Sequence, residues 1–134
     1  MVEFIRQKVP KHKIPSAVKE KWGEEVLDEG FVPTPKRFIR CLANLFENEK
    51  SIDELAAIFA IADYKRPDLE RLPSADYLAF LAGLPIDRFK SACERLQAKG
   101  FIEASGTNEH VDIGLNGLRN KIMHSTREIA WPAQ

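Results

Sequence analysis

The sequence lacks long hydrophobic runs and is poor in cysteine. Its 134 residues contain no apolar stretch near the roughly 20 residues that span a bilayer, so we predict no membrane association. The first residues lack the apolar segment of a secretory signal, and we therefore expect a cytoplasmic protein. The two cysteines, Cys41 and Cys93, lie far apart in the sequence. In a reducing cytosol we expect both to be free thiols.

Patterns typical of catalysis and of cofactor binding are also missing. The sequence has no glycine-rich phosphate-binding loop, and no Ser, His and Asp stand at a spacing that supports a catalytic triad. The three histidines, His12, His110 and His124, are scattered, and neither cysteine stands at metal-ligand spacing from them. We therefore predict a protein that is not an enzyme and that holds no metal ion or other cofactor.

The chain also lacks an excess of either charge, since 20 basic residues balance 20 acidic ones. The charged residues are nevertheless unevenly distributed along the sequence. Residues 1–21 carry six Lys or Arg against two Glu, whereas residues 22–33 carry four acids and no base. Residues 34–50 and 84–100 are each net +2, and residues 101–113 are net −3. A basic segment beside a neutral domain is typical of a polyanion-binding arm, and a solvated tail is the alternative. We predict a basic N-terminal arm (residues 1–21), a domain (22–124) and a C-terminal tail (125–134).

Hydrophobic periodicity predicts a mainly helical domain. Pro10 and Pro15 favour an extended or poorly ordered arm over residues 1–16, with a strand-like stretch at residues 2–5. The helical pattern then predicts five helices, at about 35–46, 51–65, 75–82, 86–99 and 115–124. Ser51 and Glu54 have the spacing of a capping box at the start of the second helix. Two short strands, 101–104 and 110–113, are joined by a Gly-containing hairpin loop.

A few further residues have specific predictions attached to them. Leu69 or Leu72 could form a short strand before the third helix. Trp22 is interpreted as a lid that packs on the helical core. Ile39 falls at the helical spacing of the buried side of the first helix.

The third and fourth helices stand in a helix-turn-helix arrangement. Ser74 is a predicted N-cap, and only Gly83-Leu84-Pro85 separates the two helices. The fourth helix has one apolar stripe, formed by Ile86, Phe89, Ala92, Cys93 and Leu96. Leu78, Ala79 and Phe89 are expected to pack the two helices together. We therefore predict a winged helix-turn-helix, mainly α with a small β-hairpin wing. The helix-turn-helix lies at about residues 74–100 and the wing at about 101–113.

Residues 73–102, PSADYLAFLAGLPIDRFKSACERLQAKGFI, resemble a pattern that recurs in bacterial winged helix-turn-helix proteins. The upstream stretch WGEEVLDEGFVPTP, residues 22–35, is similar to the lead-in of one subgroup. That subgroup is related to the N-terminal domains of plasmid and phage replication-initiation and primosomal proteins. The resemblance covers about residues 22–118 and implies binding of double-stranded DNA by a small transcriptional regulator or a replication-associated factor.

The resemblance assigns the DNA contacts to the solvent face of the fourth helix. That face carries Asp87, Arg88, Lys90, Ser91 and Arg95. Arg88 and Lys90 are the expected groove readers, because Arg and Lys can donate to guanine O6 and N7. Two groups are expected to touch the phosphate backbone: Ser74 and Tyr77 near the start of the third helix, and Lys36, Arg37 and Arg40 on the first helix.

The predicted wing favours a second interpretation. It carries Glu103, Glu109 and Asp112 and no Lys or Arg, so it should repel phosphates rather than bind them. A winged helix used for protein–protein interaction, as a homodimer or with another protein partner, is therefore the alternative. A third is an accessory protein of a mobile element. If the chain binds DNA, the fourth helix and the basic arm should carry the contacts.

Overall fold

The computed structural model describes residues 10–47, 49, 51–64 and 72–128, and the chain divides into two compact units, Met1–Pro33 and Thr34–Gln134. In the first unit a 3-10 helix, Lys11–Lys13, precedes helix α1, Ser16–Trp22. The predicted extended or poorly ordered arm is wrong for Lys11–Lys13, where the N–H of Lys13 donates to the carbonyl of Pro10. Helix α1 stands where no helix was predicted, and it starts at the Pro15 carbonyl, which accepts the N–H groups of Val18 and Lys19. The predicted strand at residues 2–5 lies outside the described residues.

Trp22 is the last residue of α1. It is 63% exposed, and its packing on the helical core, which belongs to the second unit, stays a prediction. Gly23 follows with φ +83 and ends the helix, and its N–H donates to the carbonyl of Lys19.

The second unit is mainly helical with one small antiparallel hairpin, as the sequence predicts. Its elements are α2 (Lys36–Leu45), α3 (Ser51–Tyr64), α4 (Ala75–Ala82), α5 (Ile86–Ala98), β1 (Glu103–Gly106), β2 (Val111–Gly114) and α6 (Asn116–Glu128). Helix α6 extends beyond its predicted end at His124. None of the helices within the described ranges is long and apolar enough to cross a membrane.

Local signals set both ends of α4 where the sequence predicts them. The Ser74 hydroxyl accepts the N–H of Tyr77 at 3.1 Å, which caps the first turn. At the other end Gly83 adopts φ +70 and ψ +27, the left-handed conformation that stops a helix. The turn to α5 therefore needs only Gly83, Leu84 and Pro85.

The core of the second unit lies where α3 packs on α4 and α5. Helix α4 also packs on α5, and α2 packs on α6. Leu78, Ala79 and Phe89 are all buried in this core, as expected of residues that pack α4 against α5. Phe38 of α2 and Phe46, which directly follows α2, extend the core. The ring centroid of Phe46 lies 5.3 Å from that of Phe101. Ile39 is an exception to the predicted pattern, because it is 55% exposed.

The hairpin is fastened to the N-terminus of α4. Its strands pair from Glu103 opposite Gly114 to Gly106 opposite Val111. The N–H of Val111 donates to the carbonyl of Pro73 at 2.8 Å, and the N–H of Ala75 donates to the carbonyl of Asn108 at 2.7 Å. Leu72 forms no strand, contrary to one prediction, and Leu69 lies outside the described residues.

Candidate nucleic-acid interface

Helix α5 has one buried and one exposed side. Phe89, Ala92 and Leu96 are buried, and Ile86 and Cys93 are half-buried against the same core, which confirms the predicted stripe. The other side exposes Asp87, Arg88, Ser91, Glu94 and Gln97. Lys90 is half-buried. The N-terminal half of α5 therefore presents polar and cationic groups to solvent, as an interface would require.

Arg88 is paired with a carboxylate of α3. Its Nε donates to Oδ2 of Asp53 at 3.0 Å, and its Nη2 donates to Oδ1 at 2.6 Å. The Arg88 side chain is nevertheless 60% exposed, whereas that of Asp53 is 15% exposed. The hydrogen bond to Asp53, with the attraction between the two charges, raises the pKa of Arg88 above its ordinary value. Arg88 is thus a fixed, permanently charged group at the protein surface.

Arg95 faces inward rather than toward solvent, so its predicted place on the outer face is wrong. Its Nε donates to Oε1 of Glu54 at 3.2 Å, and Lys99 Nζ donates to the same oxygen at 2.8 Å. Glu54 has no exposed side-chain surface. The predicted capping box is wrong for the same reason, because the Glu54 carboxylate turns to α5 instead of back to Ser51. Its buried position makes the ion pairs part of the α3–α5 packing.

The N-terminus of α4 is already occupied by protein groups. The Ala75 N–H is bonded to Asn108 and the Tyr77 N–H to Ser74, so two of the first amide donors have acceptors. The exposed Asp76 adds a negative charge in the first turn. The ring of Tyr77 lies 5.5 Å from that of Tyr64. The Ser74 hydroxyl oxygen is thus already an acceptor, and its proton remains for a phosphate contact.

The three predicted backbone-contact residues of α2 are all on its exposed side. Lys36, Arg37 and Arg40 are exposed, and α2 contains no acidic residue. Arg37 Nη1 lies 2.9 Å from the sulfur of Met123 on α6. Helix α2 thus offers a cationic surface whose placement is fixed by packing against α6.

One of the hairpin carboxylates has a structural partner that the sequence did not reveal. Glu103 Oε1 accepts the N–H of Gly117 at 3.0 Å, in the first turn of α6. A carboxylate at this end of a helix is stabilised by the helix dipole. Residues 107–110, which form the loop between β1 and β2, are all exposed. One of the acidic side chains of the hairpin, that of Glu103, therefore stabilises the start of α6.

Neither thiol is placed for chemistry. Cys41 is buried, and Cys93 is half-buried, both unpaired as predicted. Burial raises the pKa of Cys93 to about 11, with a smaller contribution from Glu94, and burial also raises the pKa of Cys41. Across the described ranges, no group of three His, Cys, Asp or Glu is placed to hold a metal ion.

Comparisons of the chain with protein-family models, curated proteins and solved structures find no match. The resemblance of the sequence to winged helix-turn-helix proteins therefore stays a prediction. The geometry of α4, α5 and the hairpin is what bears on function.

Proposed function

We propose that the chain is a winged helix-turn-helix protein that binds double-stranded DNA through the N-terminal half of α5, residues 86–91. One observation carries the proposal. Helix α5 is anchored on one side by α3 and α4, while its opposite side keeps Arg88 largely exposed. An anchored helix with a free polar side is the arrangement that enters a DNA groove.

The dimensions of α5 are compatible with this role. Its 13 residues give a length of about 20 Å, and a helix with its side chains is about 10–12 Å across. The major groove of B-DNA is about 12 Å wide and admits a helix of this size. The three-residue turn at Gly83 holds α4 close to the start of α5, so the first turn of α5 can approach the bases.

The charged residues of α2 and α5 have three proposed roles: contact with bases in the groove, contact with the phosphate backbone, and stabilisation of the fold. Arg88 and Lys90 are the base contacts, with Ser91 and Asp87 beside them on α5. Lys36, Arg37 and Arg40 contact phosphates. Arg95 holds α5 against Glu54 and is not a DNA contact. The hairpin supports α4 and α6 through Asn108 and Glu103 rather than gripping the backbone.

Fluorescence anisotropy with a labelled random-sequence duplex tests the proposal. Salt should be varied between about 50 and about 200 mM, because phosphate contacts weaken steeply over that range. Arg88→Ala and Lys90→Ala should each weaken binding at least about fivefold. Arg119→Ala removes the same charge from the exposed surface of α6 and should change affinity less than about twofold. No binding at the lowest salt, or equal losses in all three variants, would overturn the proposal.

A second candidate is a winged helix that binds protein, either another protein or a second copy of this chain. The pairing of Arg88 and Arg95 with carboxylates of α3 favours it, since pairing reduces the positive potential of α5. Sedimentation velocity over a wide concentration range measures self-association. A concentration-independent monomer would exclude the second copy as partner, and duplex binding with the stated variant pattern would favour the first proposal over binding of another protein.

A further inference from the structure

The ion pair between Arg88 and Asp53 uses one particular edge of the guanidinium group. Arginine carries five N–H donors in a rigid planar fork. The bonds to Asp53 take the Nε proton and one Nη2 proton. Two protons on Nη1 and one on Nη2 remain. Within the part of the chain that the structure describes, none of these three has a protein acceptor.

The remaining protons define the terminal edge of the guanidinium. One proton on Nη1 and one on Nη2 run parallel there, spaced to meet two neighbouring acceptors. Guanine presents such a pair, O6 and N7, in the major groove. Because the Arg88 side chain is 60% exposed, the ion pair with Asp53 leaves room for a second bidentate contact.

We propose that Asp53 is a specificity-determining residue: it holds Arg88 by its inner edge and so directs the terminal edge to a guanine in the major groove. Asp53 touches no base itself and acts as a positioning residue. The inference rests on the proposed function, which it deepens by naming the base edge that is read and the residue that orients its reader.

The surroundings of Asp53 make it a rigid support. Its side chain is only 15% exposed, and it lies in the first turn of α3. The next residue, Glu54, is buried and bonded to Arg95 and Lys99 of α5. The start of α3 is thus held against α5 beside the Arg88 pair. A side chain fixed before binding loses less rotamer entropy when it meets its target, which favours the matching sequence.

Positioning and simple electrostatics predict different results for Asp53→Asn. Removing a carboxylate from a DNA-binding surface should strengthen binding to every sequence. If Asp53 positions Arg88, the same substitution should also abolish the preference for guanine, because Arg88 then samples many rotamers. The two effects are measured separately as overall affinity and as dependence on guanine N7.

The experiment uses the full chain and a library of randomised duplexes, from which the bound fraction is sequenced. Each guanine of the enriched sequence is then replaced by 7-deazaguanine, which lacks the N7 acceptor. At one position this change should weaken wild-type binding about tenfold. For Asp53→Asn the loss should shrink to less than about twofold. For Glu94→Gln, which removes an exposed carboxylate of α5 outside the proposed contacts but leaves the ion pair, the tenfold loss should persist.

Arg88→Lys provides a second variant on the exposed side of the pair. This variant keeps the positive charge but lacks the planar guanidinium with its paired N–H donors. It should therefore bind DNA without dependence on guanine N7. The inference is overturned if Asp53→Asn or Arg88→Lys keeps the guanine dependence. Wild-type binding without any guanine dependence also overturns it and leaves the proposed function standing. No wild-type binding to any duplex overturns the proposed function itself.

Discussion

At the scale of single residues, Glu54 shows how α5 is held. It is the one charged residue buried without exposed side-chain surface among those described, and it receives hydrogen bonds from Arg95 and Lys99, 41 and 45 positions later. A buried carboxylate is costly unless it is paired, so these two cations are needed to hold it. Two of the four cations of residues 84–100 therefore stabilise the fold.

Removing this carboxylate should destabilise the protein. We expect Glu54→Ala to lower the free energy of unfolding by about 2 kcal/mol, since it leaves a cavity and frees Arg95 and Lys99. Urea unfolding followed by circular dichroism measures the change. Glu94→Ala, at an exposed position of α5, is the matched control and should stay within about 0.5 kcal/mol of wild type. Equal stabilities of the two variants would contradict the structural role of Glu54.

Cys93 gives a prediction that depends on pH. Its pKa of about 11 lies well above the ordinary 9.0, because burial disfavours the thiolate. At pH 8 the folded protein should hold about one hundredth of the ordinary thiolate fraction. Its alkylation by iodoacetamide should be slowed accordingly and should accelerate until about pH 11. Peptide mass spectrometry gives the rate, with urea-unfolded protein as control. A rate that levels off near pH 9 would refute the prediction.

At the scale of elements, α4 depends on its cap. Ser74→Ala removes the acceptor of the Tyr77 N–H and should cost about 1 kcal/mol of stability. Ser91→Ala removes a hydroxyl from an exposed position inside α5 and should be nearly neutral. The two thermal midpoints should separate by several degrees, and coincident midpoints would show that the cap contributes nothing.

Helix α6 approaches the end of α5 at a glycine. A Cβ on Gly117 would overlap the carbonyl oxygen of Gly100, a backbone group that cannot move aside alone. Gly117→Ala should therefore displace α6 and destabilise the protein by about 2 kcal/mol or more. Asn120→Ala, on the exposed side of α6, is the control. A Gly117→Ala protein as stable as this control would contradict the close approach of the backbones.

Local sequence patterns predict the helices and their ends well in this chain. They do not predict the ion pairs and hydrogen bonds that join residues of different elements. Ser74 and Gly83 define α4 because a cap and a left-handed stop act within one turn. The apolar stripe of α5 follows from helical spacing alone. By contrast, the partners of Glu54 and Glu103 lie on other elements, so an acidic residue in the sequence looks like surface charge. Helix α1 was missed because Pro15 can either interrupt a chain or precede a helix.

The candidate site was predictable to a similar extent. Spacing places Asp87, Arg88 and Ser91 on the outer side of α5, where the structure exposes them. Arg95 departs from that pattern because its long side chain reaches Glu54 on α3. The pair formed by Arg88 and Asp53 joins residues 35 positions apart, and no local pattern marks it.

At the scale of the whole molecule, charge is segregated between elements. Helix α2 carries three cations and no acid, whereas the hairpin from Glu103 to Gly114 carries three acids and no Lys or Arg. A DNA duplex should therefore lie on the side of α2 and avoid the hairpin loop.

This segregation predicts how α2 and α5 differ in DNA binding. Lys36→Ala/Arg37→Ala should weaken binding to all sequences alike, because phosphate contacts carry no sequence information. It should also reduce the slope of log affinity against log salt by about 0.9 for each phosphate that is no longer neutralised. Arg88→Ala should instead reduce the discrimination between sequences. Affinity measured against salt for an enriched and a scrambled duplex separates the two effects. Equal changes in salt slope and in sequence discrimination for the two variants would contradict this division between phosphate contacts of α2 and base contacts of α5.

A nuclear magnetic resonance titration of the ¹⁵N-labelled protein with duplex DNA tests the central claim most directly, since it reports every backbone amide at once. The account predicts that the largest shift changes fall on residues 86–91, with smaller ones on Lys36 and Arg37. The Nε–H group of Arg88 should stay hydrogen-bonded to Asp53 in the complex. Its resonance should therefore show slow exchange with solvent both before and after DNA is added. Shift changes centred on residues 107–110 of the hairpin loop, with α5 unaffected, would contradict the account.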